Sequence, residues 1–177
     1  MLTIIIIIFL AYAYYMGTRR GLAMQAVYTL GFLLAFIIAR LSYLKIAPGL
    51  TLLVPYQSAT ETSRFVFFSQ KTGLKLDAAF YAAVAFLFVL FIGWGLTRFI
   101  GVLLQDLTFY PLPRQLSTVG GGVLGLITMY VGFFLVLTIL ALIPAPSIQA
   151  LLGHSLLAKG MVNFTPIPAL HWWLQAI

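Results

Sequence analysis

Four apolar runs, separated by short polar stretches, organise the chain. A helix rises about 1.5 Å per residue, so about 20 apolar residues cross a hydrocarbon core about 30 Å thick. The first run covers about residues 2–16 and contains Ile4-Ile5-Ile6-Ile7-Ile8-Phe9-Leu10, with Tyr12, Tyr14 and Tyr15 placed as an aromatic belt at one interface. The second covers about 22–39, with Gln25 and Thr29 as its only clearly polar side chains. The third, about 78–97, is rich in Phe and Ala. The fourth, about 119–143, is stopped by Pro144 and Pro146, which cannot continue a helix. Each run predicts a membrane-spanning helix.

Two weaker segments lie between and after them. The connection from 40 to 77 includes residues 46–56, an apolar stretch interrupted by Pro48, Gly49 and Pro55. At that length it predicts a re-entrant or interfacial piece rather than a span. In the tail, 147–177, Ser147 is placed to N-cap a short helix running to about Lys159 and ending at Gly160. Ile148, Leu151, Leu152 and Leu156 fall on one face of that helix, a modest amphipathic stripe. Pro166 and Pro168 then break the chain before His171, Trp172 and Trp173; the two tryptophans are expected to act as interfacial anchors. The whole chain, 1–177, reads as a single membrane domain.

Composition sharpens the class. Of 177 residues, 63% are hydrophobic and 7% charged, and the mean hydropathy is +1.10. A soluble domain is about a quarter charged, and a chain this size in water cannot hide so much hydrocarbon. Disorder needs low hydrophobicity, and a disulfide scaffold needs cysteine, of which there is none. The expected fold is an all-α integral membrane protein, with about four transmembrane helices plus a short amphipathic C-terminal segment. Ala11-Tyr12-Ala13 imitates a signal-peptide cleavage site, but Arg19-Arg20 follow the apolar run instead of basic residues preceding it, so an uncleaved first helix is expected.

Ten Lys and Arg against three acidic residues give a net charge of +7. The basic residues are dispersed through the polar connections, which points to a bilayer with anionic headgroups and not to nucleic acid. Arg19, Arg20, Arg98 and Arg114 fall on one side, and Arg40, Lys45, Arg64, Lys71, Lys75 and Lys159 on the other. The raw count favours termini inside. The dense Arg pair directly after the first helix favours termini outside, the orientation preferred here.

Candidate chemistry is sparse. His154 and His171 have no Cys, Asp or Glu near them in sequence, so no metal site is expected, and the acidic residues Glu61, Asp77 and Asp106 form no sequence-adjacent pair. Asp77 stands before the third helix as favourable charge at an N-terminus, and Asp106 with Arg98 and Arg114 reads as a solvated loop. No catalytic residue or cofactor is expected, and the protein is read as not an enzyme. Gln25, alone at depth, is expected to make an interhelical hydrogen bond. A small transport subunit or channel is the alternative; the apolar runs hold no ionisable residue away from their ends, where a solute path usually has some.

Small residues supply the strongest pattern. Ser117, Gly121 and Gly125 are spaced by four, and Gly17 and Gly21 bracket Arg19-Arg20 with the same spacing. In lipid no hydrophobic force joins helices, so such residues mark close backbone packing, within one chain or between copies. The order of elements now carries a resemblance. Gly17-Thr18-Arg19-Arg20-Gly21 joins two helices almost without a loop, and the second carries Gly31. A long connection and a third helix follow, then Pro111-Leu112-Pro113-Arg114 leads into Gly121-x-x-x-Gly125, and a tail holds His154-Ser155-Leu156 and Pro166. This resembles the colicin V production protein (CvpA) family of bacterial membrane proteins over nearly the whole chain. Two features depart from it. Many relatives carry an acidic residue beside the Arg of the third connection, where Leu112-Pro113 and Gln115 stand here, and the connection 41–75 is long. The resemblance implies a multi-pass plasma-membrane protein linked to bacteriocin production or export and to envelope upkeep, with no established reaction. It singles out Gly17, Arg20, Gly21, Arg114, Gly121 and Gly125 as helix-packing or functional candidates, and leaves self-association or other membrane proteins as partners.

Overall fold

The computed structural model describes the chain except residues 57, 58, 61–64, 69–72, 74, 75, 110, 111, 176 and 177. Glu61, Arg64, Lys71, Lys75 and Pro111 thus lie outside the described residues. Among the described residues, all regular elements are helical. They are α1 (Leu2–Leu50), α2 (Leu76–Leu103), a 3-10 turn (Gln105–Phe109), α3 (Arg114–Leu142), and the short α4 (Pro146–Gly153), α5 (Leu156–Phe164) and α6 (Ala169–Leu174). Helices α1, α2 and α3 are each long and apolar enough to cross a membrane. The protein is an all-α membrane protein.

Helix α1 is two arms. Its regular backbone breaks at Gly21, with φ 75° and ψ 167°. A side chain strongly disfavours that combination, whereas glycine adopts it freely. Residue pairs across the bundle give the direction of each arm. Gly17 meets Gly121, Ala13 meets Gly125, and Phe9 meets Phe133 with ring centroids 5.6 Å apart, so the first arm runs antiparallel to α3. The Leu22 N–H donates to Ser117 Oγ at 3.3 Å, and Thr29 and Thr128 hydroxyls share a hydrogen bond of 3.2 Å, so the second arm runs parallel to α3. The chain therefore reverses at one residue, and α1 supplies two of four apolar arms. Gly31 against Thr97 and Gly93 against Ala35 set α2 antiparallel to the second arm, completing an up-down-up-down bundle.

The helices outrun the apolar runs. The second arm continues to Leu50 instead of giving way at residue 39, so residues 46–50 end a long helix and 51–54 form a turn. Tertiary packing explains the extension. Tyr43 is buried and donates its hydroxyl to Trp172 O at 3.1 Å, while the Arg40 guanidinium lies 4.6 Å from the Trp172 ring. Pro48 stands close to the helix end, and its carbonyl accepts from the Thr51 hydroxyl at 2.8 Å. Helix α3 starts earlier than expected, at Arg114, and stops at Leu142 because Pro144 forces Ile143 into an extended backbone (φ −87°, ψ 122°).

The tail caps the end of the bundle opposite the reversal. Pro146, not Ser147, opens α4, with Ala145 as N-cap; a proline fits the first helical position, where its missing N–H is not needed. The expected single helix to Lys159 is broken at His154-Ser155, where Ser155 Oγ accepts from Ala158 N–H at 3.2 Å and starts α5. Buried Gln149 ties this region together. Its Nε2 donates to Ala141 O (3.1 Å) and Ile143 O (2.8 Å), and its Oε1 accepts from Val66 N–H (2.9 Å). Those carbonyls belong to the end of α3, where helix geometry leaves acceptors without partners. Trp173 is fully buried with its ring 5.8 Å from Phe86, so it packs in the core instead of reaching an interface as anticipated. Trp172 is partly buried beside Phe36.

Candidate functional site

The reversal and its surroundings gather most of the residues singled out by pattern. A Cβ built on Gly121 would lie 2.8 Å from the Gly21 carbonyl carbon, and one on Gly125 would lie 2.7 Å from Ala13 O. One on Gly17 would collide with Gly121 O. These are backbone-to-backbone approaches, and only glycine permits them at such range. Ser117, one turn earlier on α3, supplies the acceptor for Leu22 N–H, which begins the second arm and has no helical partner of its own. The four glycines thus converge on one joint. Arg114 starts α3 at the same end but is exposed.

Below the joint, the two arms of α1 with α2 and α3 enclose a cleft of about 370 Å³. Arg20, in the last turn of the first arm, and Arg98, near the end of α2, both sit on Tyr28, with guanidinium carbons 4.9 and 4.5 Å from its ring centroid. Arg98 also lies 5.3 Å from the Trp94 ring. Cation–π contact holds both guanidiniums in place without neutralising them. Neither arginine forms an ion pair with a described acidic residue. Asp106 is exposed in the 3-10 turn, so Arg98 belongs to the cleft and not to a solvated loop with Asp106.

Gln25 lines the same cleft and is only 3% exposed. Its Oε1 is enclosed and has no hydrogen-bond partner, so the expected interhelical bond is absent at that atom. The cross-helix polar contact is made one turn further on, between Thr29 and Thr128. Deeper in the bundle the cleft meets an apolar groove of about 610 Å³, and Phe32, Phe91, Trp94, Met129 and Gly132 line both.

Other candidate groups stay apart. His154 and His171 are exposed in the tail, and Asp77 opens α2 at the opposite end from the joint. Among the described residues, no three metal-ligating side chains gather. Sequence reasoning noted Arg98 but missed its place in the cleft. The available signal was helical spacing, since Trp94 and Arg98 are four apart and share a face with Phe91.

The chain matches the family described as colicin V production protein over residues 2–166. It is 32% identical over 166 residues to the uncharacterized transmembrane protein YshB of Bacillus subtilis (strain 168), a similarity covering 94% of this chain and 92% of that one. No solved structure matches it. With a joint of four glycines, four apolar arms and a match spanning nearly its whole length, the chain belongs to the colicin V production protein family.

Proposed function

We propose that this protein is a multi-pass plasma-membrane scaffold, without a reaction of its own, that supports production or export of a colicin V type toxin and upkeep of the envelope. The glycine joint carries this reading. It locks the hairpin of α1 onto α3 backbone to backbone, and so holds a basic end, with Arg19, Arg20, Arg98 and Arg114, in a fixed arrangement towards anionic headgroups or membrane partners. Deleting the gene and restoring it with wild type or with Gly121→Leu/Gly125→Leu tests it. Wild type should restore toxin secretion and envelope resistance, whereas the double variant should fail to accumulate and restore neither. Full complementation by an accumulating double variant would remove the joint from the function.

A transport subunit is the second reading, favoured by the cleft that reaches Gln25. Proteoliposome flux that disappears in Gln25→Leu would support it. Cross-linking to secretion or envelope proteins, with no flux, would support the scaffold.

A further inference from the structure

We propose that the cleft and the groove below it together hold one phospholipid of net negative charge, its head between Arg20 and Arg98 and one chain along the groove. This goes beyond the scaffold reading and does not depend on it. Three observations meet here.

The first is charge. Two guanidiniums share one tyrosine ring, and neither has a described acidic partner. Lying 4.9 and 4.5 Å from one ring centroid, the two cations are less than about 10 Å apart; at the edge of a low-dielectric bundle they repel each other, and an anion between them relieves that repulsion. Each planar fork can donate two parallel hydrogen bonds to phosphate oxygens, and two cations favour a head of net negative charge over a zwitterionic one, whose ammonium they repel.

The second is Gln25. It is almost fully buried, lines the cleft and has an unpartnered amide oxygen. Turning the amide about its last torsion, which is soft, brings that oxygen to the cleft side, where a ligand hydroxyl or headgroup donor would meet it. Gln25 stands four residues past the reversal, or about 6 Å along the helix, which is headgroup depth relative to the joint.

The third is shape. The apolar groove continues from the cleft along Phe32, Phe88, Phe91, Phe133 and Val136. From Gly121 to Val136 the helix advances about 22 Å, more than half of a hydrocarbon core about 30 Å thick. A free phosphate would leave this groove empty, and a purely apolar partner helix would leave the arginines unmatched. A lipid with an anionic head and a long chain satisfies both parts. Gly132 lines cleft and groove alike, and a Cβ added there meets nothing within 4 Å. A side chain at that position would enter open space in the binding path without striking the protein.

Native mass spectrometry of the detergent-purified full chain, titrated with phosphatidylglycerol, phosphatidylcholine or inorganic phosphate, tests the proposal. One phosphatidylglycerol should bind per chain, about tenfold tighter than phosphatidylcholine, a preference of the size two charge-assisted contacts supply. Inorganic phosphate should not compete. Arg20→Gln/Arg98→Gln should erase the preference. Gly132→Phe should weaken phosphatidylglycerol binding about tenfold while the arginines stay in place. Lys45→Gln, which removes an exposed charge at the far end of the second arm, should change nothing, and circular dichroism should show each variant helical. The proposal is overturned if both lipids bind alike, if inorganic phosphate displaces the lipid, or if folded Gly132→Phe binds phosphatidylglycerol as wild type does.

Discussion

Gly17 and Gly121 face each other so closely that neither position has room for a methyl group, because the obstacle is backbone and not a side-chain tip that can swing away. Gly120, their neighbour, differs in kind. A Cβ there would meet only the end of Leu22, at 2.9 Å. Gly121→Ala is therefore expected to destabilise the bundle by about 1–3 kcal/mol, the usual cost of overpacking, and Gly120→Ala by clearly less. Thermal unfolding of the two variants in the same detergent separates them; equal losses would show that the joint is looser than described.

Gly21 offers a sharper test of backbone geometry. Its φ of 75° is paired with ψ 167°, outside the left-handed helical region that asparagine tolerates. Gly21→Asn should thus fail to relieve the strain that Gly21→Ala introduces, roughly 1–3 kcal/mol in each case. Accumulation in membranes and unfolding temperature report it. An asparagine variant as stable as wild type would contradict the geometry.

Gln149 makes three hydrogen bonds across the end of α3. Replacing it with Leu leaves Val66 N–H and two carbonyls unmet, and a cost of about 2–4 kcal/mol is expected from buried polar groups at about 1–3 kcal/mol each, softened by partial access to water. Tail release should follow, read as faster proteolysis after α3 while the bundle stays helical.

Tyr56 donates its hydroxyl to Leu142 O at 3.0 Å. Burial pushes its pKa up to about 12 from 10.0, with Asp77 and Tyr81 adding to the shift. The neutral form is the one favoured by folding, so this contribution is complete below pH 10 and is lost as pH rises through 12. Near neutral pH, Tyr56 should therefore add no pH dependence to stability. In alkaline titration, tyrosinate absorbance should show a late component that Tyr56→Phe removes.

Much of the architecture is legible in hydropathy, since membrane arms need only length and apolar character, and four such runs are present. What hydropathy hides are the places where protein, not lipid, covers a helix. Arg40 and Lys45 make residues 40–50 look like a connection, yet Tyr43 and the packed tail stabilise them as helix. Trp173 looks like an interfacial anchor because tryptophans often are, but its ring is enclosed beside Phe86. The glycine joint is visible as spacing by four; its pairing, Gly17 with Gly121 and Ala13 with Gly125, is not, because register between distant helices depends on the direction of the reversal. Arg98 shows the same limit. Its charge suggests a loop, and only the fold brings it onto Tyr28 with Arg20.

The single-residue reversal also bears on tolerance to length change. With no loop between its halves, a residue inserted or deleted beside Gly21 cannot be absorbed locally; it rotates one arm by about 100° and turns the glycine or threonine face of that arm away from its partner helix.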